Sequence, residues 1–239
     1  MYGLGLFTGV GGITLALQEY VKPLAYCEIE PYCQSTLLQR MQEGNLPKAP
    51  IWDDVRTLPT DELPRIDIIY GGFPCQDISI AERQKGLEGE RSGLFFEILR
   101  IIDETKAPFI FLENVPNIRT KGAERVCKEL SERGYDCRWC MLSAADVGAR
   151  HKRERWFLLA HSSSEERTRL PGGTEEALSP IRGSGQYRTV NEWQKAVSEI
   201  YRTTDGLPNR VDRIKALGNS VVPLQVKTAF EILTGLKKN

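Results

Sequence analysis

The chain has 239 residues, of which 41% are apolar and 27% charged, a composition typical of a soluble globular protein with one large domain. No stretch approaches the roughly 20 apolar residues that cross a bilayer. The N-terminus also lacks a secretory signal pattern, so we expect a cytoplasmic protein that does not enter a membrane. The 32 basic and 32 acidic residues balance, which excludes a uniformly basic nucleic-acid-binding surface and leaves local positive clusters at 150–155 and 210–215.

Strands and helices alternate along the first 160 residues. Leu4–Phe7 predicts a buried strand that runs into the glycine-rich turn 8–12, after which apolar residues recur at helical spacing. Further strands are predicted at 26–28, 66–70, 109–112, 136–142 and 156–160, and helices at 33–43, 94–102 and 123–133. This alternation predicts an α/β fold with a doubly wound, mostly parallel sheet that helices cover on both faces.

The pattern changes after Ala160. Residues 161–189 are rich in Ser, Gly, Arg and Glu and lack apolar periodicity, which predicts a long loop or an insertion. Residues 191–201 fit one short helix. A final amphipathic helix is predicted from Pro223, which suits the first turn of a helix.

Two residues at predicted strand ends are suited to chemistry. Cys75 follows the strand 66–70, at the carboxyl edge where α/β folds place ligands, and is positioned like a nucleophile. Glu113 ends the next strand, so its carboxyl group should reach the same crevice and could act on a ring nitrogen. Taken singly, Cys75 could instead be a buried cysteine in a tight turn, and Glu113 a helix-capping or ion-paired acid. The glycine loop 7–12 could likewise bind a cofactor or serve only packing.

The six cysteines do not have the density of a disulfide framework. Cys137 and Cys140 have the Cys-x-x-Cys spacing of zinc sites. No second such pair and no paired histidines complete a set of four ligands, so we expect reduced cysteines and no metal.

Five motifs follow one another along the chain. They are Phe7-x-Gly-x-Gly-Gly, Pro74-Cys75-Gln76, Glu113-Asn114-Val115, Arg153-x-Arg155 and Gly218-Asn219-Ser220-Val221. Together they resemble the ordered motifs of the C5-cytosine DNA methyltransferase family, over residues 4–160 and about 206–238. The resemblance implies a Rossmann-like methyltransferase fold, S-adenosylmethionine as cofactor and double-stranded DNA as partner. It also implies methylation at C5 of a flipped-out cytosine, as in restriction–modification systems.

The resemblance assigns roles by position. Cys75 would add to C6 of the base, Glu113 would hold or protonate N3, Arg155 would bind the carbonyl oxygen of the base, and Arg153 would organise the Cys75 loop. Glu28 falls where the family binds the ribose, Ile29 where a side chain packs on adenine, and Asp54 and Val55 at the adenine amine. The full predicted cofactor set is Phe7, Gly9, Gly11, Glu28, Ile29, Asp54, Val55, Leu94, Asn219 and Ser220.

The region between Ala160 and Gly206 departs from the family, whose target-recognition domain is usually much longer and is followed by a bracing motif not found here. We divide the chain into a catalytic and cofactor-binding domain (1–160), a short target-recognition segment (161–205) and a C-terminal segment (206–239) that returns to the first domain. Trp193, Arg202 and Arg210 would form the recognition surface. The segment suits a target of about two to four base pairs, or contacts from a second copy or a partner chain.

Two other functions remain open. A tRNA cytosine-5 methyltransferase would use the same cysteine chemistry on an RNA loop. A non-catalytic nucleotide- or partner-binding module would keep the sheet without the chemistry, although the presence of all four residues proposed for catalysis argues against it.

Overall fold

The computed structural model describes residues 1–74, 93–163 and 220–236. Its strands are β1 (Tyr2–Leu6), β2 (Lys22–Cys27), β3 (Ile51–Trp52), β4 (Ile68–Gly72), β5 (Phe109–Asn114), β6 (Tyr135–Leu142) and β7 (Arg155–Ser162). The helices are α1 (Gly12–Leu17), α2 (Pro31–Gln42), α3 (Leu94–Thr105), α4 (Ile118–Lys121), α5 (Ala123–Ser131) and α6 (Pro223–Thr234). Short 3-10 turns occupy Val55–Thr57 and Ala145–Val147. Cys75, Asn219 and the segment 164–219 with its predicted helix at 191–201 lie outside the described residues.

Within the described residues the strands form one seven-stranded sheet, in the order β3-β2-β1-β4-β5-β7-β6. The five strands from β3 to β5 run parallel, whereas β7 is antiparallel to both β5 and β6. The predicted mostly parallel sheet is therefore confirmed. The carboxyl ends of β1, β2, β4 and β5 meet at one edge. Because β7 runs in the opposite direction, its first residue, Arg155, lies at that same edge.

Helices cover both faces of the sheet. On one face α3, α4 and α5 pack their apolar sides against alternate residues of the central strands, with Phe95, Ile98 and Val126 fully or almost fully buried. The other face is covered by α1 and α6, and Phe230 of α6 packs edge-on against Phe111 of β5. The period-two alternation of the strands divides the core between these two layers.

The C-terminal helix α6 packs against α1 and makes polar contacts with the residues that directly follow α1. Tyr20 Oη donates to Glu231 Oε1 at 2.7 Å, and Lys227 Nζ lies 2.7 Å from Glu19 Oε1. The ring of Tyr20 lies 5.4 Å from that of Phe230. The two ends of the described chain therefore pack side by side.

Element boundaries differ from the expected ones in a few places. The strand expected at 26–28 begins at Lys22, and Pro23 coincides with a shift in its register against β1. Strand β7 extends to Ser162, past the expected domain boundary at 160. Among the described residues, no helix is long and apolar enough to cross a membrane.

Candidate functional site

A cavity of about 810 Å³ opens at the carboxyl edge of the sheet, where the loops after β1, β2, β4 and β5 converge. Parallel α/β sheets place ligands at this edge. Most of the residues expected in the site line this one cavity: Phe7, Gly9, Glu28, Ile29, Asp54, Val55, Leu94, Glu113, Arg155 and Ser220. The residues expected to bind the cofactor and those expected to bind the base therefore share a single space.

Gly11 lies beside the cavity but is not part of its wall. It precedes α1 with φ +87°, a left-handed conformation that favours glycine. A Cβ atom there would lie 2.4 Å from Leu46 Cδ1. The structure therefore gives this glycine a packing and turn-forming role, and a direct contact with the cofactor stays a prediction.

The glycine loop after β1 is held by two charged side chains. The buried carboxylate of Glu28, just after β2, accepts hydrogen bonds from the backbone N–H of Gly9 at 2.6 Å and of Glu30 at 2.9 Å. Arg40 of α2 donates from Nη1 to the carbonyl of Val10 at 2.5 Å. A carboxylate has about four acceptor positions, so Glu28 can also receive hydroxyl groups of a ligand.

Another part of the cavity wall is formed by Ile29 and the turn that begins at Asp54. Ile29 leaves 58% of its surface exposed although it is a large apolar residue, and it gives the cavity wall an apolar part. Asp54 accepts from the backbone and the guanidinium of Arg56, with Nη2 at 2.6 Å from Oδ2. These hydrogen bonds lower the pKa of Asp54, so its carboxylate stays ionised as an acceptor.

Glu113 lies at the end of β5, where the residue is only 8% exposed. Its strand partner is Gly72. A Cβ atom on Gly72 would lie 2.6 Å from Glu113 Oε2, so the glycine leaves the space that the carboxyl group occupies. Arg155 approaches from β7, with Nε 2.8 Å from Oε1.

Burial raises the pKa of Glu113 to about 7, and the charges of Arg155 and Arg153 oppose that rise. At neutral pH the carboxyl group is therefore divided between its protonated and ionised forms. An acid whose pKa lies near the working pH is suited to giving and taking a proton in catalysis.

Asn114 is a site residue to which the sequence assigned no separate role. Its buried amide donates from Nδ2 to the carbonyl of Phe73 at 2.8 Å and accepts from the backbone N–H of Val115 at 2.8 Å. It thereby fixes the loop after β4 two residues before Cys75. The sequence feature that could have indicated this role is the place of Asn114 beside Glu113 in the Glu-Asn-Val motif.

The two arginines of the Arg-x-Arg motif occupy different positions. Arg155 is on the cavity wall, whereas the guanidinium of Arg153 donates from Nη2 to the backbone carbonyl of Ser220. Ser220 and Val221 in turn line the cavity. The segment before α6 therefore reaches the site, as the resemblance implied. No observation tests the expected contact of Arg153 with the Cys75 loop, which stays a prediction.

The Cys-x-x-Cys pair lies within strand β6, and its two side chains pack on opposite faces of the sheet. The pKa of Cys137 lies above its ordinary value because its thiol hydrogen-bonds with that of Cys127 and is partly buried. Burial raises the pKa of Cys140 to about 12. Within residues 1–74, 93–163 and 220–236, no three His, Cys, Asp or Glu side chains cluster as metal ligands would.

Residues 1–215 match the family described as C-5 cytosine-specific DNA methylase. The chain belongs to this family. It is 32% identical over 235 residues to the type II methyltransferase M.CviJI of Paramecium bursaria Chlorella virus IL3A, a match that covers 98% of this chain and 58% of the viral protein. It is 35% identical over 161 residues to M.HhaI of Haemophilus parahaemolyticus, covering 65% of this chain and 47% of that protein. The chain thus spans about half the length of these relatives.

Solved structures support the same fold. EhMeth, a methyltransferase of Entamoeba histolytica, superimposes with a TM-score of 0.65 at 14% identity, over 100% of this chain and 99% of that one. A mutant of DNMT2 from Spodoptera frugiperda gives a TM-score of 0.55 at 17% identity, over 76% and 60% of the two chains. At such identities the likeness concerns the fold, which is the Rossmann-like sheet of this methyltransferase family.

Proposed function

We propose that this protein is an S-adenosylmethionine-dependent DNA (cytosine-5)-methyltransferase. The observation that carries the proposal is the position of Glu113: a buried carboxyl group with a pKa of about 7, paired with Arg155, on the wall of the cavity that also contains the glycine loop and Glu28. One half of the cavity suits a nucleoside cofactor, and the other half suits a base whose ring nitrogen needs a proton.

The cofactor half fits S-adenosylmethionine in its donor and acceptor groups. Glu28 would accept hydrogen bonds from the ribose hydroxyls, Ile29 would pack on the adenine ring, and Asp54 would accept from the adenine amine. Phe7, Gly9, Leu94 and Ser220 would complete the walls, with Asn219 beside Ser220. The bound cofactor supplies an electrophilic methyl group on its sulfonium.

The chemistry begins with the base, because C5 of cytosine is too weak a nucleophile to take a methyl group directly. The base must first leave the helix, at a free-energy cost of about a few kcal/mol. The Cys75 thiolate would then add to C6, while Glu113 gives a proton to N3 and Arg155 donates to the carbonyl oxygen of the base. The guanidinium of Arg155 carries five N–H groups, of which the Nε group is directed at Glu113.

The remaining steps return the residues to their starting state. The activated C5 would take the methyl group and leave S-adenosylhomocysteine, the C5 proton would pass to solvent, and the C6–sulfur bond would break to release the Cys75 thiolate. N3 returns its proton to Glu113, and 5-methylcytosine departs. A pKa of about 7 suits this cycle because the same carboxyl group must first give a proton and then recover it.

A basic stretch beside the cavity would contact the DNA backbone. Arg150, His151 and Lys152 are exposed in the connection between β6 and β7, next to Arg153 and Arg155. Phosphate contacts need local rather than overall positive charge, which is consistent with a chain of zero net charge. Base-specific readout would fall to the segment 161–205. Either it reads a short target alone, or a second copy or partner chain adds contacts.

The proposal is tested by methyl transfer from tritium-labelled S-adenosylmethionine to duplex DNA and to tRNA, followed by bisulfite sequencing of the modified DNA. We expect 5-methylcytosine in duplex DNA, its loss in Cys75→Ala, and its retention in Cys127→Ala, a matched cysteine outside the cavity. Transfer to tRNA alone would favour the RNA-modifying alternative. Binding of a nucleotide or a partner with no methyl transfer to DNA or tRNA would favour a non-catalytic module.

A further inference from the structure

Gln225 of α6 is a fully buried polar residue that joins the C-terminal helix to the Arg-x-Arg segment. Its Nε2 donates two hydrogen bonds, to the carbonyl of Leu142 at 2.7 Å and to that of Arg153 at 2.9 Å. Leu142 is the last residue of β6, and Arg153 lies two residues before the start of β7. One amide group therefore spans both ends of the connection that carries Arg153 to the site.

The backbone at Arg153 is one that needs such support. Its φ of +30° is in the left-handed region, which residues other than glycine adopt only when their surroundings impose it. The C-terminal segment constrains Arg153 twice, through Gln225 at its carbonyl and through the carbonyl of Ser220 at its guanidinium. Val222 adds a small buried contact with Ala144 and Ala149 of the same connection.

We infer that Gln225 is a positioning residue that holds Arg153 in this conformation and keeps its positive charge near the Glu113 carboxyl group. The inference rests on the proposed function, since it concerns the residues around the carboxyl group assigned to the base. Arg155 Nε lies 2.8 Å from Glu113 Oε1, and the guanidinium of Arg153 binds the carbonyl of Ser220, which lines the same cavity as Glu113. Both positive charges oppose the rise in the pKa of Glu113. Arg155 is paired with Glu113 directly, whereas Arg153 is held at its carbonyl by Gln225 and at its guanidinium by Ser220, both in the C-terminal segment.

The two carbonyl groups explain why this position is polar, because an apolar side chain would donate to neither of them. The Oε1 atom of Gln225 is buried and has no hydrogen-bond partner. An apolar side chain would fill the same space without leaving that oxygen unpaired. The two donated hydrogen bonds are therefore what the glutamine contributes, and both end on the connection between β6 and β7.

The test compares Gln225→Met, which keeps the length of the side chain but donates nothing, with the unmodified protein. The pKa of Glu113 is measured from the pH titration of its side-chain carboxyl carbon by NMR, with the signal assigned by its loss in Glu113→Gln. Displacing Arg153 should raise that pKa by about 0.5 unit or more, a part of the one to three units that a neighbouring opposite charge supplies. The pH at which kcat/KM for methyl transfer begins to fall on the alkaline side should rise together with this pKa.

Thr234→Val is the matched control, because Thr234 is also buried on α6 but donates only to carbonyls of its own helix, Phe230 at 2.7 Å and Glu231 at 3.3 Å. It should leave the titration of Glu113 unchanged. If Gln225→Met does not fold, Gln225→Asn takes its place. Its amide is one methylene shorter and should lose one of the two hydrogen bonds, giving a smaller upward shift.

An unshifted titration in a folded Gln225 variant would overturn the inference, as would an unshifted titration in Arg153→Ala. The NMR measurement does not depend on turnover. If the titration shifts as expected but the unmodified protein transfers no methyl group to DNA, the proposed function fails and the positioning role stands. If transfer occurs but the titration is unmoved, the positioning role alone fails.

Discussion

Replacing Glu113 by Gln should change both the rate of methyl transfer and its dependence on pH. With its pKa raised to about 7 by burial, Glu113 is about half protonated at pH 7 and about one tenth protonated at pH 8. With the ordinary value of 4.5, only about 0.3% would be protonated at pH 7. The fold therefore increases the proton-donating form of this residue by about two orders of magnitude. An amide cannot complete the proton cycle, so Glu113→Gln should lower kcat/KM by ~10²-fold or more.

The assay is kcat/KM for tritiated methyl transfer from about pH 5.5 to 9, with cofactor affinity measured separately by calorimetry. The unmodified protein should show an alkaline limb near pH 7, which the Gln variant should lack while keeping its affinity for S-adenosylmethionine. The reasoning would be refuted if the limb persisted in the variant, or if the rate fell only because cofactor binding was lost.

The same pKa shift has a consequence for stability. Between about pH 4.5 and 7 the folded state holds a proton on Glu113 that the unfolded state has released, so the free energy of unfolding falls as pH rises through this window. The shift corresponds to about 3 kcal/mol. Glu113→Gln does not titrate, so its stability relative to the unmodified protein should improve by about that amount between pH 4 and 8, measured by urea unfolding. If the difference in unfolding free energy between the two proteins stayed constant from pH 4 to 8, it would contradict the raised pKa of Glu113.

Three further variants test other parts of the structure. Gly72→Ala would place a Cβ atom 2.6 Å from the carboxyl oxygen of Glu113, so it should lower methyl transfer by ~10-fold or more while cofactor affinity is kept; equal activity would show that the carboxyl group can move aside. Replacing Arg150 and Lys152 together by Ala should reduce the salt dependence of DNA binding by about 2 in the log–log slope, and an unchanged slope would place the phosphate contacts elsewhere. Phe230→Ala should lower the free energy of unfolding by ~3–5 kcal/mol in urea titrations, because its buried ring packs against Tyr20 and against Phe111 of β5; a loss below ~1 kcal/mol would mean that α6 is not firmly docked.

The central sheet could be predicted because its strands are continuous apolar runs bounded by turn residues. The stretches around Ile68 and Phe111 are buried on both faces, and strands of this kind can be recognised from a continuous run of apolar residues. Strand β3 was missed because two residues carry no periodicity. The direction of β7 could not be predicted either, because the alternation of strands and helices along the chain does not distinguish parallel from antiparallel pairing. That direction is what brings Arg155 to Glu113.

The candidate site was predictable where ordered motifs mark it and much less so where contacts between distant segments form it. Glu28, which the resemblance assigned to the cofactor, lines the same cavity as Glu113 and Arg155, which it assigned to the base. The roles of Gly72 and Asn114 depend on the register of β4 against β5 and on the path of the next loop. The sequence alone does not contain either relation. The expected recognition residues Trp193, Arg202 and Arg210 lie outside the described residues, and their roles stay predictions.

The most direct test of the account is the covalent step at Cys75. A DNA duplex that contains 5-fluorocytosine at the methylated position should form a stable covalent complex with the protein in the presence of S-adenosylmethionine, because fluorine cannot leave C5 as a proton does. The complex should survive denaturing electrophoresis, require the cofactor and disappear in Cys75→Ala while Cys127→Ala still forms it. An undiminished complex in Cys75→Ala would contradict the account.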